Sequence, residues 1–151
     1  MRKVVFLDSG VLGKLTHPRG NEDHRECLRW LLSLLRAGVR VCIPEVCDYE
    51  LRRVYLFRDA QKQLAKLDEL KSQAKYVAIN TDAMRRAATL WAQGRRRGRP
   101  TAGDKALDAD VILCAQALLE VVGDEELVVA TTDVGDLSTF VTARAWRAIP
   151  P

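Results

Sequence analysis

Two short apolar runs, Val4-Val5-Phe6-Leu7 and Leu127-Val128-Val129-Ala130, constrain the fold more than any other feature of the chain. Each has the length and β-branched content of a strand buried on both faces, as in a parallel sheet. Acidic residues stand where they stop: Asp8 follows the first run directly, and Asp133 follows the second after two threonines. Open α/β sheets hold their ligands at the carboxyl ends of such strands, so both aspartates are predicted at one functional edge.

Strand and helix patterns alternate along the rest of the chain. Lys3 to Leu7 reads as the first strand, and Val11 to Leu15 opens a helix that Pro18 and Gly20 interrupt. A helix is predicted from near Asn21, with Leu28, Leu31, Leu32 and Leu35 at helical spacing and Gly38 as its stop. Val39 to Ile43 follows as a strand, and Pro44 fits the first turn of a helix from Glu45 to about Phe57. A charged helix from Arg58 to about Ser72 and a strand from Tyr76 to Ile79 come next. Asn80 or Thr81 then caps a helix that Gly94 ends. Asp104 or Asp108 caps an Ala/Leu-rich helix reaching about Val122, before the strand Leu127 to Ala130. A helical turn at Asp136 to Phe140 and a last strand at Ala143 to Ala148 complete the pattern. The alternation predicts an α/β fold: a three-layer α/β/α sandwich with a mostly parallel, about five-stranded sheet.

Length and composition narrow the function. The 151 residues, 48% of them hydrophobic, suit one domain spanning 1–151 with a continuous core. No run reaches 18 apolar residues and the start lacks a signal-peptide pattern, so a soluble, cytoplasmic protein with no membrane partner is expected. Cys27, Cys42, Cys47 and Cys114 show no CxxC spacing and only His17 and His24 could assist them, which argues against zinc and for reduced core cysteines. The two histidines lie in weakly patterned sequence and read as surface residues. The net charge of +4 and pI near 9.0 lean toward a polyanion. Arg95, Arg96, Arg97 and Arg99 either track a phosphate backbone or form a solvated loop.

Two further carboxylates fall on faces that should pack. Glu50 lies four residues from both Val46 and Val54, and Asp110 shares a helical face with Leu107, Cys114 and Ala117. Each has a simpler explanation alone: Glu50 beside Arg53, Asp108 and Asp104 as caps, Asp133 as a turn former, Glu45 at a favourable helix start. Asp8, Glu50, Asp110 and Asp133 gathered at one edge would repel and raise one another's pKa unless a cation neutralised them. All-oxygen ligands suit Mg²⁺ or Mn²⁺, with Ser9, Thr131 and Thr132 able to position water or carboxylate oxygens.

Four segments in order carry a family resemblance: Val-Val-Phe-Leu-Asp-Ser-Gly-Val-Leu, Ile-Pro-Glu-Val-Cys-Asp-Tyr-Glu-Leu-Arg-Arg, Ala-Leu-Asp-Ala-Asp-Val-Ile-Leu-Cys-Ala-Gln-Ala and Val-Val-Ala-Thr-Thr-Asp-Val-Gly-Asp-Leu. Over nearly its whole length the chain resembles PIN-domain ribonucleases, especially VapC-like toxins of type II toxin-antitoxin systems. The resemblance places the family's acidic positions on Asp8, Glu50, Asp110 and Asp133, with Thr131 as the preceding hydroxyl and Asp136 as an additional acid. Asp108 competes with Asp110, and Ser9 stands where threonine is frequent.

The resemblance implies a Mg²⁺- or Mn²⁺-dependent endoribonuclease that leaves a 5′-phosphate and a 3′-hydroxyl, a small cognate antitoxin and a homodimer. An RNA-processing nuclease outside a toxin-antitoxin pair and an inactive RNA- or protein-binding module are the alternatives. A haloacid-dehalogenase-type phosphatase would need an acid where Gly10 stands, and a receiver domain would need an acidic pair after its first strand.

Overall fold

The computed structural model describes residues 2–18, 20–99 and 108–151. Five strands, β1 (Lys3–Leu7), β2 (Arg40–Pro44), β3 (Lys75–Val77), β4 (Glu126–Thr131) and β5 (Ala143–Ala145), form one sheet in the order β3-β2-β1-β4-β5. Every pairing is parallel. The helices are α1 (Ser9–Leu15), α2 (Glu22–Arg36), α3 (Glu45–Phe57), α4 (Gln61–Gln73), α5 (Thr81–Arg96) and α6 (Ala109–Glu120).

β1 is central because Val4, Val5, Phe6 and Leu7 are all fully buried, so both faces of the strand are covered. It pairs with β2 on one side and β4 on the other, Leu7 standing opposite Ala130, and Asp8 N–H extends the ladder to the Ala130 carbonyl at 3.1 Å. The chain steps from β1 to β2 in one direction and returns to β4 in the other. That reversal opens a crevice at the carboxyl ends of β1 and β4.

Caps set most helix starts. Asp8, Asn21 and Asn80 accept hydrogen bonds from Val11, His24 and Ala83 N–H groups at 2.9, 2.7 and 2.8 Å. Asp108 caps α6, accepting from Asp110 N–H at 3.0 Å; the alternative cap, Asp104, lies outside the described residues. Gln116 crosses between elements, donating to the Val77 carbonyl at 2.8 Å while its Oε1 accepts from Val46 N–H at 3.3 Å.

At the opposite edge of the sheet Arg40 binds Glu120 at 2.7 Å and Glu125 at 2.8 Å, and Lys75 also reaches Glu120, joining the starts of β2, β3 and β4 to the end of α6. Trp30 donates to the Ile149 carbonyl at 2.9 Å and packs on Trp146, fastening the final residues to α2. All four cysteines are free and buried, as expected.

Several boundaries differ from the sequence expectation. Pro44 is the last residue of β2 and the cap of α3, not part of its first turn. The strand expected at Tyr76 to Ile79 begins one residue earlier and stops at Val77, where Ile79 N–H turns to the Glu45 carboxylate at 2.8 Å. The final strand ends at Ala145 because Trp146 enters a 3-10 turn to bury its ring.

Gly94 does not end α5. It is buried inside the helix, because a Cβ there would meet Phe140 Cζ at 2.9 Å and the Arg99 carbonyl at 3.0 Å. The stop is Gly98, with φ +71°, whose N–H bonds the Arg95 carbonyl while Arg99 N–H reaches back to Gly94 at 2.8 Å. Gly94→Ala should therefore destabilise the protein by about 1–3 kcal/mol in urea unfolding through overpacking. An unchanged midpoint would show that Phe140 moves aside freely.

Candidate active site

The switch-point crevice gathers acids from four parts of the fold. Asp8 stands just beyond β1, Glu50 in the second turn of α3, Asp110 in the first turn of α6, and Asp133 in the loop after β4. Asp8, Glu50 and Asp110 are partly buried, whereas Asp133 and Asp136 are exposed at the rim.

Local bonds fix each acid. Asp8 both caps α1 and meets the Thr131 hydroxyl. Thr131 Oγ1 accepts from Asp133 N–H and donates to the Asp133 carbonyl, both at 2.9 Å, so the hydroxyl beside Asp8 is held by the β4 loop. The Asp133 side chain accepts from Gly135 N–H at 3.1 Å, the turn-forming role that is its simpler explanation when it is taken alone. Ser9 at the start of α1 lies near Glu50 of α3 and favours its charged form. Gly10 is required where α1 meets the β4 loop, since a Cβ would lie 2.3 Å from Thr132 Oγ1.

The cluster is electrostatically expensive. Burial pushes the Asp8 carboxyl above its ordinary range, against hydrogen bonds from Thr131 and Val11. Burial also raises Glu50, helped by the charges of Asp110 and Asp8 and opposed by Arg53 and Ser9. Asp110 is raised by burial and then by Asp108, Asp136, Asp8 and Asp133. Beneath them Cys47 is buried, and burial with the Glu50, Asp8 and Asp110 charges pushes its thiol well up.

The two competing aspartates of α6 have different surroundings. Asp108 is 7% exposed and turns its carboxylate onto the Asp110 and Val111 N–H groups, whereas Asp110 lies in the field of Asp8, Glu50 and Asp133. Burial raises Asp108, and the Arg95 guanidinium opposes that rise. The nearness of Arg95 to the acidic edge was not foreseen, because it depends on α5 continuing through Gly94.

Glu45 has a specific bonding role besides its place at the helix start: it accepts from Ile79 N–H and from Tyr76 Oη at 3.2 Å. Asp48, buried on the same helix, pairs with Arg52 at 2.7 Å. His24 is not a surface residue. It is 9% exposed, with Nδ1 2.8 Å from the Lys14 carbonyl, and it lines with His17, Lys14 and Asn21 a cleft of about 460 Å³ that opens beside Gly10 and Thr132.

The donor set is carboxylate and hydroxyl oxygen, which suits a hard divalent cation. Among the described residues no three His, Cys, Asp or Glu side chains are already gathered tightly enough to grip an ion, so the carboxylates form an open cluster.

The family model described as PIN domain matches residues 5–133, and the chain belongs to the PIN domain family. No individual curated protein matches it. Three solved structures share the fold. VapBC2 from Rickettsia felis, bound to a DNA fragment from its promoter, has a TM-score of 0.70 at 14% identity over 95% of this chain and 98% of that one. DNA-bound VapBC from Salmonella typhimurium gives 0.69 at 21% identity over 97% and 99%. VapBC-1 from nontypeable Haemophilus influenzae gives 0.67 at 14% identity over 95% and 98%.

With metal removed by chelation, Asp110→Asn should raise the melting temperature by a few degrees, because it deletes a buried charge in a like-charged field. For the wild type the sign follows from the raised carboxyls of Asp8, Glu50 and Asp110. The folded state holds protons that the unfolded state has released, so metal-free stability should rise as pH falls from neutrality through these raised values. Thermal melts between pH 7 and about pH 5 in chelator test this; a flat or opposite trend would contradict the described electrostatics.

Proposed function

We propose that the chain is a single-domain, metal-dependent endoribonuclease and the toxin of a toxin-antitoxin pair. The observation that carries this reading is the convergence of Asp8, Glu50, Asp110 and Asp133 on the crevice between β1 and β4, where burial raises the carboxyls of Asp8, Glu50 and Asp110 and neighbouring negative charge raises the last two further. Membership in the PIN family supports nuclease chemistry. The toxin assignment takes its support from VapBC structures in which one chain has the same fold and is matched over nearly its full length.

Asp8, Glu50, Asp110 and Asp133 would hold Mg²⁺ or Mn²⁺, and the ion would lower the pKa of a water and offset charge on the phosphoryl oxygens. The chain's own residues set the geometry. Thr131 fixes Asp8 relative to Asp133, and Ser9 orients Glu50. Asp136 adds negative charge at the rim, and Asp108 holds the α6 N-terminus that carries Asp110. Hydrolysis by water leaves a 5′-phosphate and a 3′-hydroxyl. His17 and His24 are not required as acid-base groups.

The cognate antitoxin would oppose this acidic crevice with a basic side chain. A homodimer is supported by an apolar face on α3, where Tyr49, Leu56 and Phe57 are 54%, 62% and 90% exposed. Phe57→Asp should then convert the dimer to a monomer in light scattering; a wild-type monomer at micromolar concentration would refute the dimer.

Purified protein should cut single-stranded RNA with Mn²⁺ or Mg²⁺ and lose the activity in chelator. Asp8→Asn should reduce the rate by more than about 100-fold, the upper range for losing a mere outer-shell partner, with the fold intact by circular dichroism. Ser9→Ala should cost about tenfold. RNA binding without cleavage under any divalent metal would instead identify an inactive binding module.

A further inference from the structure

The net positive charge of the whole chain is concentrated in one element. Residues 81–99 hold six arginines and a single acid, Asp82, a local charge of +5 against +4 for the complete sequence. Elsewhere the arginines are largely committed: Arg40, Arg52 and Arg147 each bind two carboxylates, and Arg25 and Arg29 share Glu22. Arg85, Arg86, Arg96, Arg97 and Arg99 are all exposed, and no ion pair among the described residues engages them.

Helical geometry aligns these residues. Arg85 and Arg96, and likewise Arg86 and Arg97, are eleven residues apart, close to three whole turns, so they form two adjacent stripes about 16 Å long. Ala83, Ala87, Leu90 and Gly94 form the buried face that packs against α6, with the Arg85–Arg96 stripe opposite it and the Arg86–Arg97 stripe along one border. The glycine-capped turn at Gly98 orders the end of the stripe. That end lies at the acidic edge: Arg95 acts on Asp108, and Gly94 abuts Phe140 just after the Asp136 turn. The Arg95 guanidinium also sits 4.4 Å over the Trp91 ring, which holds this arginine beside the acidic edge.

We infer that the exposed arginine face of α5 is a track for the phosphate backbone of single-stranded RNA, leading its substrate to the acidic crevice. This rests on the ribonuclease reading above. The crevice is negative and would repel a polyanion unless a cationic surface next to it supplied the attraction. The track therefore supplies affinity remote from the reacting bond, while the carboxylates supply the chemistry.

The test is binding of a fluorescein-labelled 15-nucleotide single-stranded RNA in chelator, over a KCl series, by anisotropy. The variant Arg85→Gln/Arg86→Gln/Arg96→Gln/Arg97→Gln should weaken binding by about tenfold or more at low salt and make the log K against log salt slope shallower by about 2–3, at ~0.7 per lost phosphate contact. The corresponding four Arg→Lys changes should keep most of the slope, and Asp8→Asn should keep all of it. In Mn²⁺ the Gln variant should raise KM for the 15-mer with little change in kcat, and leave tetranucleotide cleavage unaltered.

Unchanged RNA affinity and slope in a folded Gln variant overturn the proposal, even if the wild type cuts RNA. So does a loss confined to duplex DNA or anionic vesicles. If the variant loses its slope but the wild type never cuts RNA, the track stands and the nuclease reading falls.

Discussion

The parallel pairing of β1 with β4 is the constraint on which the rest depends. It joins segments more than a hundred residues apart in sequence, with Lys3 opposite Glu126 and Leu7 opposite Ala130. Contacts of that separation are entropically costly to close, and burial of Val4 to Leu7 and Val128 to Thr131 is what offsets the cost. The same register carries Asp8 level with Thr131, so the apolar ladder that stabilises the sheet also fixes the spacing of the acids above it. A slip of one residue would turn Val5 and Val128 to the wrong faces and separate the two acids from their shared hydroxyl.

Stability is invested at one end of the sheet and surrendered at the other. Below, Arg40 and Lys75 together balance Glu120 and Glu125 and join three strand starts. Above, Asp8, Glu50 and Asp110 are held in a field dominated by carboxylates and raised by burial. Such strain survives because the Asp8 and Asp108 caps and the Thr131 bonds to the Asp133 backbone hold the positions. Two arginines moderate it from the sides, Arg53 at Glu50 and Arg95 at Asp108.

Much of this was legible in the sequence because the informative residues act locally. The strand at Val4 to Leu7, the helix start near Asn21 and a cap at Asn80 or Thr81 follow from propensity and short-range bonding; the strand and helix start are present, and the cap is Asn80. Glu50 and Asp110 stood out as charges on faces that should pack. What escaped was set by distant partners. Gly94 looks like a stop until Phe140, more than forty residues on, is known to lie against it. His24 looks exposed until the Lys14 carbonyl closes over its ring, and Glu45 looks like a helix-start charge until Ile79 turns toward it. Asp108 and Asp110 could not be ranked from spacing alone; the cap geometry separates their surroundings.

The four buried thiols give the protein a set of internal reporters. Cys27, Cys42, Cys47 and Cys114 sit on α2, β2, α3 and α6, one in each of four structural regions. Burial raises Cys27 and Cys114 to about 12 and Cys42 to about 11, and Cys47 is raised by burial and by the acids above it, so little reactive thiolate exists in the folded chain at neutral pH. Alkylation of each cysteine therefore becomes a clock for the opening of its own region. Cys47, lying directly under the carboxylates, times the breathing of the floor of the crevice, a motion invisible to any measurement made from the solvent side.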